Sequence, residues 1–398
     1  MLQPGLLQQD RSKPHLGSTR RREAGVMPNR MRRRKFLIES SRVALSLPLL
    51  PLAGWSQGTQ KSLESHDGVT LISDLEKQIP KLMEGNRVPG LSIAIIDEGK
   101  LRWRRAFGVK DSASKEPVDN DSVFGAGSMG KPVFAYAVMK LCERGVIDLD
   151  TPLTKYTSER FLEGDPRLEL ITARHVLSHT SGFQNWRSDK EPLRIHFAPG
   201  EKFLYSGEGY SYLQSVVTHL TNQSIDAYMR ANVFLPFGMA SSGYAWNETF
   251  QNHAARPHDR DGKPFDNKKP TEVDLARYGA AGELRTTPTD YAKFLLEVVE
   301  PKESDAFRLT KKSLKEMLRP QVKVSDEYSS SWALGWQIQQ SEKDTIIMHG
   351  GDNKGFHGFV AASADRKFGY VMMTNGENGP EVLKKLMAGF LNQFLARS

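Results

Sequence analysis

The chain has 398 residues, of which 38% are hydrophobic, enough to form one large globular unit or two subdomains. Its formal net charge is +8, but residues 1–42 alone hold eleven Lys and Arg against three Asp and Glu, so the rest of the chain is formally neutral. A neutral body has no basic face for phosphate contacts, which argues against a nucleic-acid partner.

The basic N-terminal segment is typical of an export signal. Residues 32–35 read RRRK and precede an apolar run, residues 43–53, about as long as a signal-peptide core. Because this run is short and interrupted by prolines, it cannot span a membrane as a helix. Residues 33–37, RRKFL, resemble a bacterial twin-arginine signal. We expect residues 1–56 to be an extension that engages the export machinery, leaving a periplasmic or secreted protein without a stable membrane anchor. The alternative is a basic amphipathic arm or a surface anchor.

The folded domain is expected to cover residues 69–398, after a polar linker at residues 57–68. Apolar residues recur at helical spacing from Leu71 to Met83, and Pro80 predicts a kink or a break in that helix. The pattern then switches to one typical of a β-hairpin, with strands at residues 91–96 and 101–107.

The middle of the chain predicts a mostly helical subdomain, about residues 131–310. After it, four strands and an amphipathic helix are predicted, at residues 332–339, 345–349, 356–362 and 368–374 and at residues 380–395. Strands and helices at both ends of a helical middle indicate an α+β fold, in which an antiparallel β-sheet is flanked by helices and carries the helical subdomain. The cleft between the sheet and the subdomain is the expected ligand site.

Ser128 and Lys131 are the first candidate catalytic residues. They lie three positions apart at the start of a predicted helix that Gly145 ends, so the ammonium of Lys131 can lie beside the hydroxyl of Ser128. A serine hydroxyl is a poor nucleophile at neutral pH and needs such a base or proton relay. The free N–H groups at a helix start also favour negative charge developing at the serine. This spacing is common by chance, and two further motifs strengthen the prediction.

Tyr205 and His349 provide those further motifs. A tyrosine can act as a general base when a nearby cation depresses its pKa, and Lys131 could supply that charge; the alternative is an ordinary core tyrosine. His349-Gly350-Gly351 follows a predicted strand, where glycines let a substrate lie along the strand edge and N–H groups bind an oxyanion. The alternative there is a simple turn. His349 is predicted to donate a hydrogen bond to the forming intermediate or to tune Tyr205.

In this order, the three motifs resemble the serine β-lactamase and penicillin-binding protein family, in particular its class C-like branch, which includes esterases and D-amino-acid peptidases. The family carries S-x-x-K, then Y-x-N, then K-T-G or H-x-G, here Ser128/Lys131, Tyr205 and His349/Gly351. The resemblance covers about residues 70–398, with supporting matches at residues 88–92, 176–183, 199–201, 209–210 and 282–290.

The resemblance implies a β-lactamase/transpeptidase-like fold and an acyl-enzyme mechanism. Ser128 attacks a carbonyl, while Lys131 and Tyr205 move the proton between the nucleophile and the leaving group. By analogy with the family, the backbone N–H groups of Ser128 and Asp352 form the oxyanion hole, with Gly351 at the strand edge. No cofactor is implied.

One position departs from the family pattern. Gly207 stands where β-lactamases and peptidases carry an asparagine whose amide orients the lysine and contacts the substrate's amide carbonyl. Esterase-like members often lack this asparagine, so the expected substrate is a carboxylic ester or a small amide. The alternatives are a class C-like β-lactamase or D-Ala-type peptidase acting on a lactam or peptide, a catalytically weak ligand- or cell-wall-binding homologue, and an acyltransferase.

Two other site types are disfavoured by the sequence. His175 and His179 have the i, i+4 spacing that can present two imidazoles on one helix face, but no nearby carboxylate or cysteine completes a ligand set. No metal site is therefore predicted, and the resemblance places His179 in a structural loop. No G-x-S-x-G sequence occurs, which argues against an α/β-hydrolase nucleophile elbow.

Overall fold

The computed structural model describes residues 66–325, 330–340, 344–363 and 365–391. The predicted extension at residues 1–56, its export signal and most of the predicted linker lie outside the described residues. The described residues form an α+β fold, as predicted, with a large antiparallel sheet. Within them, no helix is long and apolar enough to cross a membrane.

The sheet joins the two ends of the described chain. The strands, in chain order, are β1 Gly90–Asp97, β2 Lys100–Asp111, β3 Glu116–Pro117, β4 Phe124–Gly125, β5 Arg285–Thr286, β6 Val322–Ser325, β7 Ser330–Trp332, β8 Gln337–Gln340, β9 Thr345–Asn353, β10 Phe356–Ser363 and β11 Phe368–Thr374. Nine of these described strands pair in the order β3-β2-β1-β11-β10-β9-β8-β7-β6, and β4 pairs separately with β5. The N-terminal hairpin therefore lies beside the C-terminal strands.

Helices cover both faces of the sheet. The α-helices are α1 His66–Asn86, α2 Gly130–Glu143, α3 Ala173–Leu177, α4 Gly207–Thr221, α5 Ile225–Met229, α6 Glu248–His253, α7 Glu272–Tyr278, α8 Pro288–Val299, α9 Lys311–Leu318 and α10 Gly379–Leu386. Tighter 3₁₀ turns occur at Gly127–Met129, Leu153–Lys155 and Pro166–Leu170, and wider π-helical turns at Arg230–Phe234, Gly279–Glu283 and Met387–Leu391.

The alternation of side chains along β1 explains why both of its faces are buried. Ile93 and Ile95 pack into a core with α1 and α10. Ala94 and Ile96 face the opposite way, into the larger core that holds α2 and α8. Because successive side chains of a strand point to opposite faces, an apolar run without polar alternation is what a strand covered on both sides requires.

The predicted N-terminal elements are confirmed, with one difference at Pro80. The hairpin of β1 and β2 forms where the sequence predicted it. Helix α1 passes through Pro80 without ending, so the predicted break does not occur there.

Two predicted C-terminal strands have different bounds in the structure. The segment at residues 332–339 is not one strand: a tight turn around Gly335, with φ of +89°, separates β7 from β8. Strand β9 continues to Asn353 because β10 keeps pairing with it, Gly351 lying opposite Gly358. The glycines after His349 therefore lie inside the strand, not in a turn at its end.

This extension of β9 leaves one edge of the strand unpaired near Ser128. Within the described strands, β8 pairs with β9 only from Thr345 to Met348, so the part of β9 that begins at His349 pairs only with β10. The 3₁₀ turn Gly127–Met129 lies against this part of the strand. Backbone groups of β9 are thereby left available next to Ser128.

Candidate active site

The structure brings the predicted serine and lysine into contact. Ser128 lies in the 3₁₀ turn that leads into α2, and Lys131 lies in the first turn of that helix. Nζ of Lys131 donates a hydrogen bond to Oγ of Ser128 at 3.0 Å and another to the carbonyl oxygen of Ala281 at 2.6 Å. Ser128 is half-buried, whereas Lys131 is 1% exposed. A buried amine is thus fixed beside a hydroxyl that solvent can reach.

Burial sets the protonation of Lys131. Because a charged ammonium loses its hydration in the interior, burial lowers the pKa of Lys131 from 10.5 to about 7. A substantial fraction of the side chain is therefore a neutral amine at neutral pH. A neutral amine within hydrogen-bond distance of Ser128 has the geometry and the pKa of a general base.

Gln214, which the sequence did not predict, holds the backbone turn that bonds Lys131. Its Oε1 accepts the N–H of Ala280 at 2.6 Å, and its Nε2 donates to the carbonyls of Leu275 and Ala276 at 2.8 and 3.0 Å. These bonds hold the π-helical turn that presents the Ala281 carbonyl to Lys131. The sequence does contain a signal for Gln214. With Tyr210, Leu213 and Val217 it follows the i, i+3, i+4, i+7 pattern of one buried helix face, on which it is the polar residue.

Tyr205 lies beside Lys131, but the prediction that its pKa is lowered is wrong. Nζ of Lys131 is 4.9 Å from the centre of the tyrosine ring. Burial of the phenol raises the pKa of Tyr205 above its ordinary value of 10, outweighing the nearby Ser128 hydroxyl, which lowers it, while Asp352 raises it further. The lysine also contributes less positive charge than assumed, because its own pKa falls. The Ser128 hydroxyl is the group that approaches the Tyr205 hydroxyl, which makes no hydrogen bond of standard geometry among the described residues. A neutral phenol is suited to relay a proton, not to act as a phenolate base.

His349 is held as a neutral imidazole with one free lone pair. It is buried in β9, and its Nδ1 lies 2.6 Å from the carbonyl oxygen of Gly350, so Nδ1 carries the proton. Burial and the nearby charge of Lys131 lower the pKa of His349 to about 3. Nε2 is therefore an acceptor, without a partner in the described part of the chain. Of the two predicted roles, this geometry supports the tuning of Tyr205, whose ring centre is 6.3 Å away.

Glycines allow β9 to approach the nucleophile. A Cβ atom on Gly351 would collide with the carbonyl oxygen of Ala126, and one on Gly127 would lie 2.7 Å from the backbone nitrogen of Asp352. The backbone of Asp352 is thus next to the turn that carries Ser128, as the predicted oxyanion hole requires. The Asp352 carboxylate lies 2.6 Å from Nδ1 of His357 on β10.

The side-chain space at Gly207 is already filled. Gly207 is the first residue of α4, and a Cβ atom there would collide with the indole of Trp186. The N–H of Gly207 donates to Oδ1 of Asn185 at 2.8 Å, and the Trp186 ring packs edge-on against Tyr278 at 5.0 Å. Trp186 and Asn185 are not predicted by the sequence, because nothing local links their loop to Gly207.

An ion pair between the half-buried Arg187 and the buried Glu208 ties this loop to α4. Glu208 is fully buried and accepts hydrogen bonds from Nε, Nη2 and the backbone N–H of Arg187 at 2.9, 2.6 and 2.8 Å. Arg277 approaches the same carboxylate at 3.4 Å. Because Arg187 directly follows Trp186, this pair fixes the indole over Gly207.

His175 and His179 do not share a helix face. Helix α3 ends at Leu177, and His179 lies beyond it in a left-handed conformation, with φ of +56°. His175 instead closes the start of α3 with Thr172. His179 therefore lies in a loop, as the family resemblance implied.

Comparisons with known proteins confirm the predicted family and fold. The family model described as Beta-lactamase matches residues 75–391. The chain is 24% identical to penicillin-binding protein 4* of Bacillus subtilis (strain 168) over 335 residues, 73% of this chain and 69% of that protein. It is 29% identical to esterase EstB of Burkholderia gladioli over 249 residues, 54% of this chain and 62% of that protein. A solved β-lactamase/D-alanine carboxypeptidase from Pseudomonas syringae has a TM-score of 0.71 at 20% identity, covering 81% of this chain and 99% of that one.

Proposed function

The chain belongs to the β-lactamase family of serine hydrolases, and we propose that it is exported and cleaves a carboxylic ester or a small amide through an acyl-enzyme on Ser128. The proposal of an acyl-enzyme rests on the 3.0 Å hydrogen bond between Ser128 and the buried amine of Lys131.

The geometry supports the following sequence of proton transfers. Neutral Lys131 accepts the proton of Ser128 as Oγ attacks the substrate carbonyl, and the N–H groups of Ser128 and Asp352 hold the oxyanion. The proton then passes through the Tyr205 phenol to the leaving oxygen or nitrogen as the bond to the acyl group breaks. Water attacks the acyl-enzyme by the reverse path and restores Ser128.

The preference for an ester rests on Gly207. An amide leaving group is poorer than an alkoxide or phenoxide, and it needs firmer carbonyl orientation and better proton delivery. The family's asparagine would serve both needs, but Trp186 occupies its place here. The 29% identity to a protein named as an esterase supports the same preference.

The protonation of His349 also favours substrates without a carboxylate. Family members with K-T-G carry a lysine at this position, whereas the His349 imidazole, with a pKa of about 3, is neutral at physiological pH. It therefore offers no positive charge to the carboxylate of a penicillin or of a D-Ala-terminated peptide.

A substrate panel tests the proposal. We expect kcat/KM for p-nitrophenyl acetate and butyrate to exceed that for nitrocefin and for release of D-alanine from a D-Ala-D-Ala peptide, with none of these activities in Ser128→Ala. Equal rates on nitrocefin and p-nitrophenyl acetate would contradict the ester preference.

The main alternative is a β-lactamase or D-Ala-type peptidase. The open edge of β9 beside Ser128 favours it, because an extended peptide or lactam can lie along such an edge. Rapid nitrocefin hydrolysis or release of D-alanine would support it. A fluorescent penicillin that labels Ser128 once without turnover would support the weak binding homologue, and ester exchange with an added alcohol would support an acyltransferase.

Export is proposed from residues 33–37 and 43–53. We expect the mature protein to begin near Gln57 and to fractionate outside the cytoplasm. N-terminal sequencing of natively expressed protein tests this, and an intact terminus at Met27 or Met31 on cytoplasmic protein would refute it.

A further inference from the structure

His179 holds the backbone on both sides of Tyr205. Its carbonyl oxygen accepts the N–H of Leu204 at 2.8 Å, and its ring Nδ1 accepts the N–H of Ser206 at 3.1 Å. A single residue therefore holds the peptide group that follows the tyrosine and the one between Phe203 and Leu204, a residue before it.

The imidazole of His179 also lies against the tyrosine ring. The two ring centres are 4.1 Å apart, with an interplanar angle of 35°, and Trp332 packs against the imidazole at 5.0 Å. The backbone clamp and the ring contact together restrict both the position and the tilt of the phenol. The position of the Tyr205 hydroxyl depends on how its ring and its flanking backbone are held, and His179 contacts both.

The fold retains His179 at a cost. Nδ1 accepts a hydrogen bond, so the ring proton lies on Nε2, which is buried and unpaired in the part of the chain that the structure describes. The residue also has a positive φ of 56°, which residues other than glycine rarely adopt. Backbone strain and buried unpaired polar atoms are enriched where a functional geometry depends on them.

We propose that His179 is a positioning residue for proton transfer: it sets the place of the Tyr205 hydroxyl relative to Ser128 and Lys131. It acts through Tyr205 and does not contact the substrate. The proposal rests on the acyl-enzyme mechanism above but not on the identity of the substrate.

A double-mutant cycle with Tyr205→Phe tests this role. His179→Leu removes the acceptor for Ser206, while His179→Asn keeps an acceptor and suits a positive φ. His258→Asn is the matched control, because His258 is equally buried and accepts the N–H of Ser112 at 3.0 Å away from these residues. The readouts are kcat and KM on a p-nitrophenyl ester and the labelling rate of Ser128 by a fluorophosphonate, which reports the serine even if esters are poor substrates.

We expect His179→Leu to lower kcat and the labelling rate about tenfold to a hundredfold, since small misplacements of a catalytic group cost that much, with KM changed less than about threefold. His179→Asn should lose less. In the Tyr205→Phe background both changes should cost less than about threefold, while His258→Asn is neutral in both backgrounds. An equal fold-loss with and without the Tyr205 hydroxyl would overturn the proposal. If His179→Leu does not fold, the cycle with His179→Asn decides in the same way.

Discussion

The indole of Trp186 occupies the space into which a side chain at position 207 would project. Gly207 is not among the described residues with a positive φ, so its backbone conformation would accept another residue. The obstacle is the indole ring, which Tyr278 contacts and which the ion pair of Arg187 with the buried carboxylate of Glu208 holds in place. The absence of the family's asparagine is thus coupled to a tryptophan 21 positions earlier in the chain.

This coupling predicts that Gly207→Asn alone fails to increase activity on lactams. The asparagine would collide with Trp186, and overpacking of this kind costs about 1–3 kcal/mol of stability. The double variant Gly207→Asn/Trp186→Ala removes this collision and is compared with Trp186→Ala alone. We expect the ratio of kcat/KM for nitrocefin to kcat/KM for p-nitrophenyl acetate to be about tenfold to a hundredfold higher in the double variant. This factor corresponds to the about 1–3 kcal/mol that a buried hydrogen bond contributes. A stable Gly207→Asn single variant with the same gain would contradict the coupling.

Ser128→Ala should abolish turnover and fluorophosphonate labelling while leaving the melting temperature nearly unchanged. Ser128 is half-buried, and its hydroxyl accepts a hydrogen bond from Lys131, so loss of this nucleophile should lower the rate by several orders of magnitude. Ser215→Ala is the control, since Ser215 is exposed on α4. Labelling of Ser128→Ala at another serine, detected by mass spectrometry, would identify a different nucleophile.

Gln214→Leu should weaken both the fold and catalysis. The change leaves the buried N–H of Ala280 without its acceptor, which costs about 1–3 kcal/mol of unfolding free energy. It also loosens the turn that presents the Ala281 carbonyl to Lys131, so kcat should fall about tenfold. Urea unfolding and ester kinetics check the two effects. The exposed residue Gln251 provides the control, as Gln251→Leu. If Gln214→Leu is as stable and as active as the wild type, the turn does not support Lys131.

Local sequence patterns were sufficient for much of the fold and part of the site. The hairpin of β1 and β2 follows from an apolar run, a turn sequence at residues 97–100 and a second strand-like segment directly after it. The contact of Ser128 with Lys131 follows from their spacing of three at a helix start, since such residues are neighbours on any helix. These features depend on residues close together in the chain.

The features that the sequence did not predict depend on tertiary contacts. Burial, which spacing does not reveal, raises the pKa of Tyr205. The extension of β9 to Asn353 depends on pairing with β10, and the filled space at Gly207 depends on a loop that arrives from Trp186. Each requires knowing which distant segments pack together.

The pH dependence of kcat/KM should follow Lys131 on the acid side. Its amine must be neutral to accept the Ser128 proton, and burial lowers its pKa to about 7, so activity on a neutral ester should fall as the pH drops through about 7. His349, with a pKa of about 3, should not contribute between pH 5 and 8. The pKa of Tyr205 lies above its usual 10, so no alkaline loss from the phenol is expected below that pH. A rate that is flat from pH 5 to 9 would exclude Lys131 as the base.

The same burial predicts how Lys131 affects stability as the pH changes. The pKa is about 7 in the folded protein and about 10.5 in the unfolded chain, so between these values the unfolded state binds more protons. The wild type should therefore gain stability relative to Lys131→Met as the pH rises through this window, by about 2–3 kcal/mol from pH 7.5 to 9.5, and the difference should be constant below about pH 6. Urea unfolding of both proteins at pH 6, 7.5 and 9.5 measures it. Lys311→Met serves as the control because Lys311 is exposed, and the stability difference between the wild type and this variant should hardly vary with pH. A pH-independent difference for Lys131→Met would mean that Lys131 stays charged in the folded protein, which would also remove the basis for its role as a base.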